Sequence, residues 1–220
     1  MSVSVLGLGA GGHAKVLIEA LRAAGGYDVI ALLDPDPARI GESVLDVPVL
    51  GGDELLERHY DDGVRHAFIG LGGADDTDAR VRLYELARTR GFDVISVVHP
   101  SAVVSPSAEL GPGATVLARA VVGADCRLGE NVTINTAAVV EHDSRIGDHV
   151  HIATGALLAS GVEIEAAAHV GIGACVRQGI HIGARSIIGA GAVVVDDVEP
   201  EVVVVGVPAR VLRRREHHAA

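Results

Sequence analysis

A period of six residues is the strongest constraint on this chain. Every sixth residue from Val98 to Val194 is Val, Ile or Leu, with no insertion. The positions four further on, running from Ala102 through Ala138 and Ala156 to Val198, are mostly small. With 49% of all residues hydrophobic, chance does not hold such a register. Self-similarity at a short fixed period marks stacked units that bury their apolar faces only against their neighbours. Three hexads then make one coil of eighteen residues, a triangular prism of short strands with the aliphatic residue inward and the small residue at the corner. Glycine follows the aliphatic residue in several hexads, at Gly111, Gly123, Gly129, Gly147, Gly171, Gly183 and Gly189. Tight corners that need backbone freedom are the expected reason.

Composition agrees with such a core. Only 2% of the residues are aromatic, none is Trp, and 28 are Gly. The net charge of −11 argues against a nucleic-acid or anionic-membrane partner, because a polyanion would bind against the average field. Cys126 and Cys175 make neither a metal pair nor a disulfide framework, so a reducing cytoplasm is expected. The opening MSVSVLGLGAGG has no basic stretch before its apolar residues, and no apolar run is long enough to span a membrane.

Upstream of the repeat the period changes. Val3 to Leu6, Asp28 to Leu33, Ala67 to Ile69 and Phe92 to Val97 read as buried strands, and His13 to Ala24 and Ala79 to Arg90 as helices. Asp53 is expected to cap a short helix. Strands alternating with helices imply a small parallel α/β domain. The fold class is therefore α/β plus all-β: a Rossmann-like domain over residues 1–97, then a parallel β-helix with a tail over residues 98–220.

Gly7, Gly9 and Gly12 fit G-x-G-x-x-G between a strand and a helix, with Asp34 closing the next strand. There bare backbone approaches a phosphate at a helix amino-terminus. Fewer than 100 residues supply one mononucleotide-binding half, so a nucleotide-sugar suits the turn better than a dinucleotide.

In the repeat, EHDSRIGDHVHIATG gathers His142, His149 and His151. A lone outward histidine is most often merely solvated. Here His142 lies between Glu141 and Asp143, which is what a general base needs: an imidazole with a carboxylate to orient it. His151 and His169 are eighteen apart and are expected to stack one strand spacing away, about 4.8 Å, as an edge ladder or as a metal site.

The stretches GLGAGGHAKV, VHPSAVVSPSAELGPG, INTAAVVEHDSRIGDHVHIATGALLASGV and GAGAVVVDDV with VVVVGVPAR resemble the sialic-acid O-acetyltransferase family of hexapeptide-repeat acyltransferases. Similar members N-acetylate nucleotide-linked 4-amino-4,6-dideoxy sugars. The resemblance implies a left-handed β-helix and a homotrimer, with acetyl-CoA in the groove between neighbouring prisms and no metal. It assigns His142 as general base with Asp143 beside it, and Asn135 near the substrate amine. His151, the Ser160 N–H, Ile172, Ala190 and Gly191 fall to acetyl-CoA. Gly11, Gly12 and His13 match the phosphate turn, Asp34 and Asp36 the nucleoside contacts, and Gly72 a later loop contact.

The expected reaction is direct acetyl transfer to the amine of a nucleotide-linked amino sugar, with no serine or cysteine beside His142 for a covalent step. Three rivals follow from the same residues. One is O-acetylation of a sialic acid or related sugar. Another is a zinc hydro-lyase similar to the γ-type carbonic anhydrases, which needs two histidines five apart, a spacing that His142, His149, His151 and His169 lack. The third is a nucleotide-sugar binding protein with a decayed groove, against which the intact EHD stands.

Overall fold

The computed structural model describes residues 2–73 and 77–215. The chain divides into two compact units, residues 1–72 with 78–100, and residues 73–77 with 101–220.

The first unit is an α/β layer built on β1 (Val3–Leu8), α1 (Gly12–Ala24), β2 (Tyr27–Leu33), β3 (Ser43–Val44), β4 (Val47–Gly51), α2 (Leu56–Asp61), β5 (His66–Ile69), α3 (Asp78–Thr89) and β6 (Asp93–Val94). The sheet order is β3-β4-β2-β1-β5-β6, so β1 lies between β2 and β5, both parallel to it. Helix α1 forms because Ala14, Leu17, Ile18 and Leu21 recur at helical spacing and bury completely, while Glu19 and Arg22 stay outside. The hairpin of β3 and β4 was not expected from the sequence. Its turn uses left-handed Leu45 and Asp46, which carry no Gly-type turn signal.

Two local expectations are corrected. Asp53 caps nothing: it is the first residue of a 3-10 turn whose N-cap is Gly52, and its side chain makes no capping bond. The stretch Phe92 to Val97 is not one strand but two short ones, Asp93–Val94 and Val97–Val98.

The second unit is the left-handed parallel β-helix. Two-residue strands eighteen apart pair in register, as in Val121 with Val139 and His151 with His169. From Val116 to Val194 every inward hexad residue is at most 5% exposed. Each such side chain contributes about 1.5–3 kcal/mol by leaving water. Strands Val202–Val205 and Arg210–Arg214 close the stack, the last one antiparallel.

The glycine expectation is also corrected. The left-handed backbone falls three residues after each inward residue, at every sixth position from 113 to 191, and is held there by Arg119, Asp125, Asn131, Ala137, Asp143 and others as well as by glycines. The glycines directly after the inward residue have no positive φ. They are small because the next coil's backbone passes over them. A Cβ on Gly111 would lie 2.4 Å from the Gly129 carbonyl oxygen, and one on Gly123 would lie 2.7 Å from the His142 nitrogen.

The outward residues give each prism face its own chemistry. One face is charged, with Glu109 against Arg127 at 3.8 Å and Arg145 against Glu163 at 3.9 Å. A second carries buried Thr115, Thr133, His151 and His169. The third is apolar and half-exposed, with Val103, Val121, Val139, Leu157, Cys175 and Val193 in a column.

Candidate active site

At the carboxyl end of β1 the glycines divide by cause. Gly7 is dictated by packing, since a Cβ would meet Leu32 and Phe68 at 2.4–2.5 Å, and Gly9 by its φ of +99°. Gly11 and Gly12 are required by neither, because a Cβ on either would meet nothing within 4 Å. Gly11 is the N-cap of α1, makes no side-chain cap bond, and no acidic residue follows in the first turn. Their N–H groups lie at the positive end of the helix, and no side chain of their own covers them. Gly72 lies over His13, its Cβ direction 3.6 Å from the His13 Cβ.

Asp34 braces this turn. Its Oδ2 accepts from the Ala10 N–H at 2.8 Å and its Oδ1 from the Asp36 N–H at 3.0 Å. Asp36 in turn accepts from the Ala38 N–H at 2.9 Å. Sequence reading missed Arg39, which donates to the Ala10 carbonyl at 2.6 Å and lies 3.9–4.0 Å from both carboxylates. Its only signal was an arginine three residues after Asp36. Buried Arg80 was missed as well: it donates to the Ile69 and Leu71 carbonyls at 3.0 and 2.9 Å, and burial lowers its pKa to about 10.

On the prism, the histidines that cluster in sequence are dispersed. His142 stands at the edge after the apolar face, His149 at the next edge where it meets the Asn131 amide at 3.1 Å, and His151 on the buried polar face. His142 is exposed, and its Nδ1 is 2.7 Å from the Asp143 carboxylate. That hydrogen bond, ahead of the Coulomb attraction of Asp143 and Glu141, raises the imidazole pKa above its usual value. Asp143 adopts the left-handed φ of +61°, which turns its short side chain back onto the preceding residue. The turn is fastened from below: the Glu141 carbonyl accepts from the Ser144 hydroxyl at 2.7 Å and from the Cys126 thiol at 3.1 Å.

Ser160 lies one coil along from His142, and the Gly161 N–H donates to the His142 carbonyl at 2.9 Å. The Ser160 N–H has no acceptor among the described residues. Asn135, Ile172, Ala190 and Gly191 occupy the opposite edge of the apolar face. Ile172 is 62% exposed, and its carbonyl accepts from the Gly191 N–H at 2.8 Å. Asn135 and His151 are hydrogen-bonded to each other at 3.2 Å, and the rings of His151 and His169 meet edge to face at 5.0 Å. One prism therefore holds Asn135, Ile172, Ala190 and Gly191 on one edge and His142 and Ser160 on another, with the Val139, Leu157 and Cys175 face between them. Among the described residues no group of three or more His, Cys, Asp or Glu is set to hold a metal ion, and no helix is long and apolar enough to cross a membrane.

Comparison with known proteins follows the same division. Residues 5–86 match the PglD N-terminal domain family and residues 125–160 the bacterial transferase hexapeptide family. No curated protein sequence matches the chain. Among solved structures, PerB from Caulobacter crescentus, in complex with CoA and GDP-perosamine, superposes with a TM-score of 0.88 at 44% identity, covering 94% of this chain and 96% of that one. The acetyltransferase domain of PglB from Neisseria gonorrhoeae, solved also with acetyl coenzyme A, matches at 38% identity over 96% of this chain and 100% of that one, with a TM-score of 0.88. WeeI from Acinetobacter baumannii matches at 26% identity and a TM-score of 0.83, covering 96% and 100%. With identity of this level along nearly its whole length, the chain belongs to the family of hexapeptide-repeat acyltransferases with a PglD-type amino-terminal domain, the one its motifs resemble.

Proposed function

We propose that the protein transfers an acetyl group from acetyl-CoA to the amine of a nucleotide-linked amino-deoxy sugar, of the 4-amino-4,6-dideoxyhexose kind, for a surface glycan or glycoprotein. The observation that carries this reading is the exposed His142 imidazole with the Asp143 carboxylate 2.7 Å from Nδ1. Asp143 accepts the Nδ1 proton, which leaves the Nε2 lone pair facing out. As the amine nitrogen attacks the thioester carbonyl, Nε2 takes the amine proton and Asp143 steadies the imidazolium. The C–N bond forms, the C–S bond breaks, and His142 returns the proton to the leaving thiolate. The products are the amide and CoA with a free thiol.

Direct attack is favoured because the serine and the cysteine that touch the Glu141–Ser144 turn are both spent. The Ser144 hydroxyl is buried on the Glu141 carbonyl, and the Cys126 thiol is buried with its pKa raised, first of all by desolvation. The unspent Ser160 N–H suits the thioester oxyanion. Ile172, Ala190 and Gly191 form a strip of small and apolar surface for the pantetheine arm. His151 acts here by contact and by holding Asn135 toward the amine, since its ring nitrogens are engaged. Gly11, Gly12 and His13 take the phosphates, with Gly72 above them and Asp34 and Asp36 beside the nucleoside. PerB, solved with CoA and GDP-perosamine, and the PglB domain, solved with acetyl coenzyme A, support acetyl-CoA as donor and a nucleotide-linked sugar as acceptor.

The assembly proposed is a homotrimer. An apolar column between the two edges of assigned residues is what a neighbouring prism would cover, and that neighbour would bring the opposite edge to each His142. Acetyl-CoA as donor argues for a cytoplasmic reaction.

The test is thiol release from acetyl-CoA with UDP-, GDP- and dTDP-linked 4-amino sugars, with the product mass read directly. Acetylated sugar nucleotide and stoichiometric thiol are expected from one of them. Release with none, or only with a hydroxyl sugar such as sialic acid, overturns the reading, and the latter result assigns O-acetylation.

A further inference from the structure

The α/β unit contains a cavity of about 540 Å³ lined by Gly9, Asp34, Pro35, Asp53, Leu71 and the α3 residues Ala79, Arg82, Leu83 and Leu86. It opens at the carboxyl ends of β1, β2, β4 and β5, where β1 passes from one neighbour to the other. Open α/β sheets bind ligands at such switch points. Its leucines and proline make flat apolar walls, and its size suits a heterocycle with part of a sugar.

The two carboxylates in it are not equivalent. Both Asp34 oxygens already accept backbone N–H groups, so this side chain is pinned, with second lone pairs left for hydroxyls. Asp53 is held differently. Its Oδ1 is shielded from solvent and has no hydrogen-bond partner among the described residues. Burial, then Glu54 and Asp34, push this carboxyl above the usual range. A shielded acceptor without a donor is costly, and Asp53 has no capping role to explain it. A ligand that brings donors into the cavity would satisfy it.

We propose that Asp53 reads the base of the nucleotide and selects guanine, an inference that rests on the nucleotide-sugar reading above. Guanine presents adjacent donors, N1–H and the 2-amino group, which one carboxylate accepts as a pair. Uracil and thymine present a single N3–H between two carbonyl oxygens, and those oxygens face a carboxylate unfavourably. Adenine offers one donor beside a lone pair. Arg82 supplies donors for guanine O6 and N7. Asp34, at the end of β2, is left for the ribose hydroxyls.

Calorimetry on the full chain with GDP, IDP, UDP, dTDP and ADP tests this. GDP is expected to bind at least tenfold tighter than UDP, dTDP or ADP, and also tighter than IDP, which lacks the 2-amino group. Asp53→Asn should cost GDP tenfold or more, abolish the difference between GDP and IDP, and improve binding of XDP, whose C2 carbonyl accepts from the new amide. A gain for XDP cannot come from misfolding, and the IDP comparison stands on the native chain alone. Equal binding of the diphosphates, or a GDP preference that survives Asp53→Asn, overturns the assignment and leaves the acetyltransferase reading intact. Failure of every diphosphate to bind overturns both.

Discussion

The Asn135 side-chain amide donates to Nε2 of His151 across 3.2 Å. Its orientation is set from the other side, because Asn135 Oδ1 accepts the Thr136 N–H at 2.7 Å. His151 must then accept at Nε2 and donate from Nδ1, where the Gly73 carbonyl waits. A neutral imidazole with its proton on Nδ1 follows, and ¹⁵N chemical shifts of labelled histidine would report that tautomer. Asn135→Ala removes the donor to Nε2 in a ring 7% exposed. The expected loss is about 1–3 kcal/mol of stability, read by thermal or urea unfolding, together with a fall in kcat.

His142→Ala should leave folding intact, because the side chain is 56% exposed and lies outside the aliphatic core. Steady-state rates should show kcat lower by roughly 10²–10⁴, the usual contribution of a positioned base. Acetyl-CoA affinity should change little. Turnover within threefold of the native enzyme at saturating substrates would mean that the base lies elsewhere.

The pH profile separates His142 from the substrate amine. A general base works in its neutral form, so kcat/KM is full above the His142 pKa and falls as pH drops through it. The Asp143 hydrogen bond is the largest cause of the raised value. Asp143→Asn should therefore move the acid limb to lower pH, with a smaller loss of kcat than His142→Ala. An acid limb that stays in place assigns it to the amine.

Gly123→Ala tests how closely the coil beneath holds the His142 turn. The added Cβ would sit 2.7 Å from the His142 nitrogen and 3.0 Å from the Glu141 carbonyl carbon. Overpacking of this kind costs about 1–3 kcal/mol and displaces the turn, so both melting temperature and kcat should fall. Gly161→Ala is the control in the same corner. Its φ is +65° with open space around it, and Ala137 and Ala167 occupy the equivalent position in other hexads. Its effect on both readouts should be much smaller.

Leu157→Glu puts a charge in the middle of the apolar column, where Leu157 is 46% exposed. On the proposed trimer, light scattering should change to that of the 22.5 kDa chain, and activity should fall with it because each proposed site loses its second edge. A native protein that scatters as 22.5 kDa at micromolar concentration overturns the trimer.

Much of the fold was legible because its signals are local and repeated. The hexad register needs no long-range information: an inward aliphatic every six residues can bury only if the chain coils. The strand–turn–helix opening was legible for the same reason, and so were His142 and Asp143, whose contact is between adjacent residues. The β3–β4 hairpin was not, because non-glycine residues take its left-handed positions.

By itself, the sequence determined the coil, the parallel α/β layer and the His–Asp pair, all of which follow from neighbours along the chain or from a fixed period. Only the tertiary structure decided which residues share a surface. Coiling by eighteen residues sends His142, His149 and His151, close in sequence, to different sides of the prism, while it joins Asn135 to His151 across coils. It also showed that Gly123 is small because His142 passes over it, and that Asp53 is a shielded acceptor on a cavity wall. The physical reason is that burial and close approach between coils or strands depend on register in three dimensions, which no window along the chain contains.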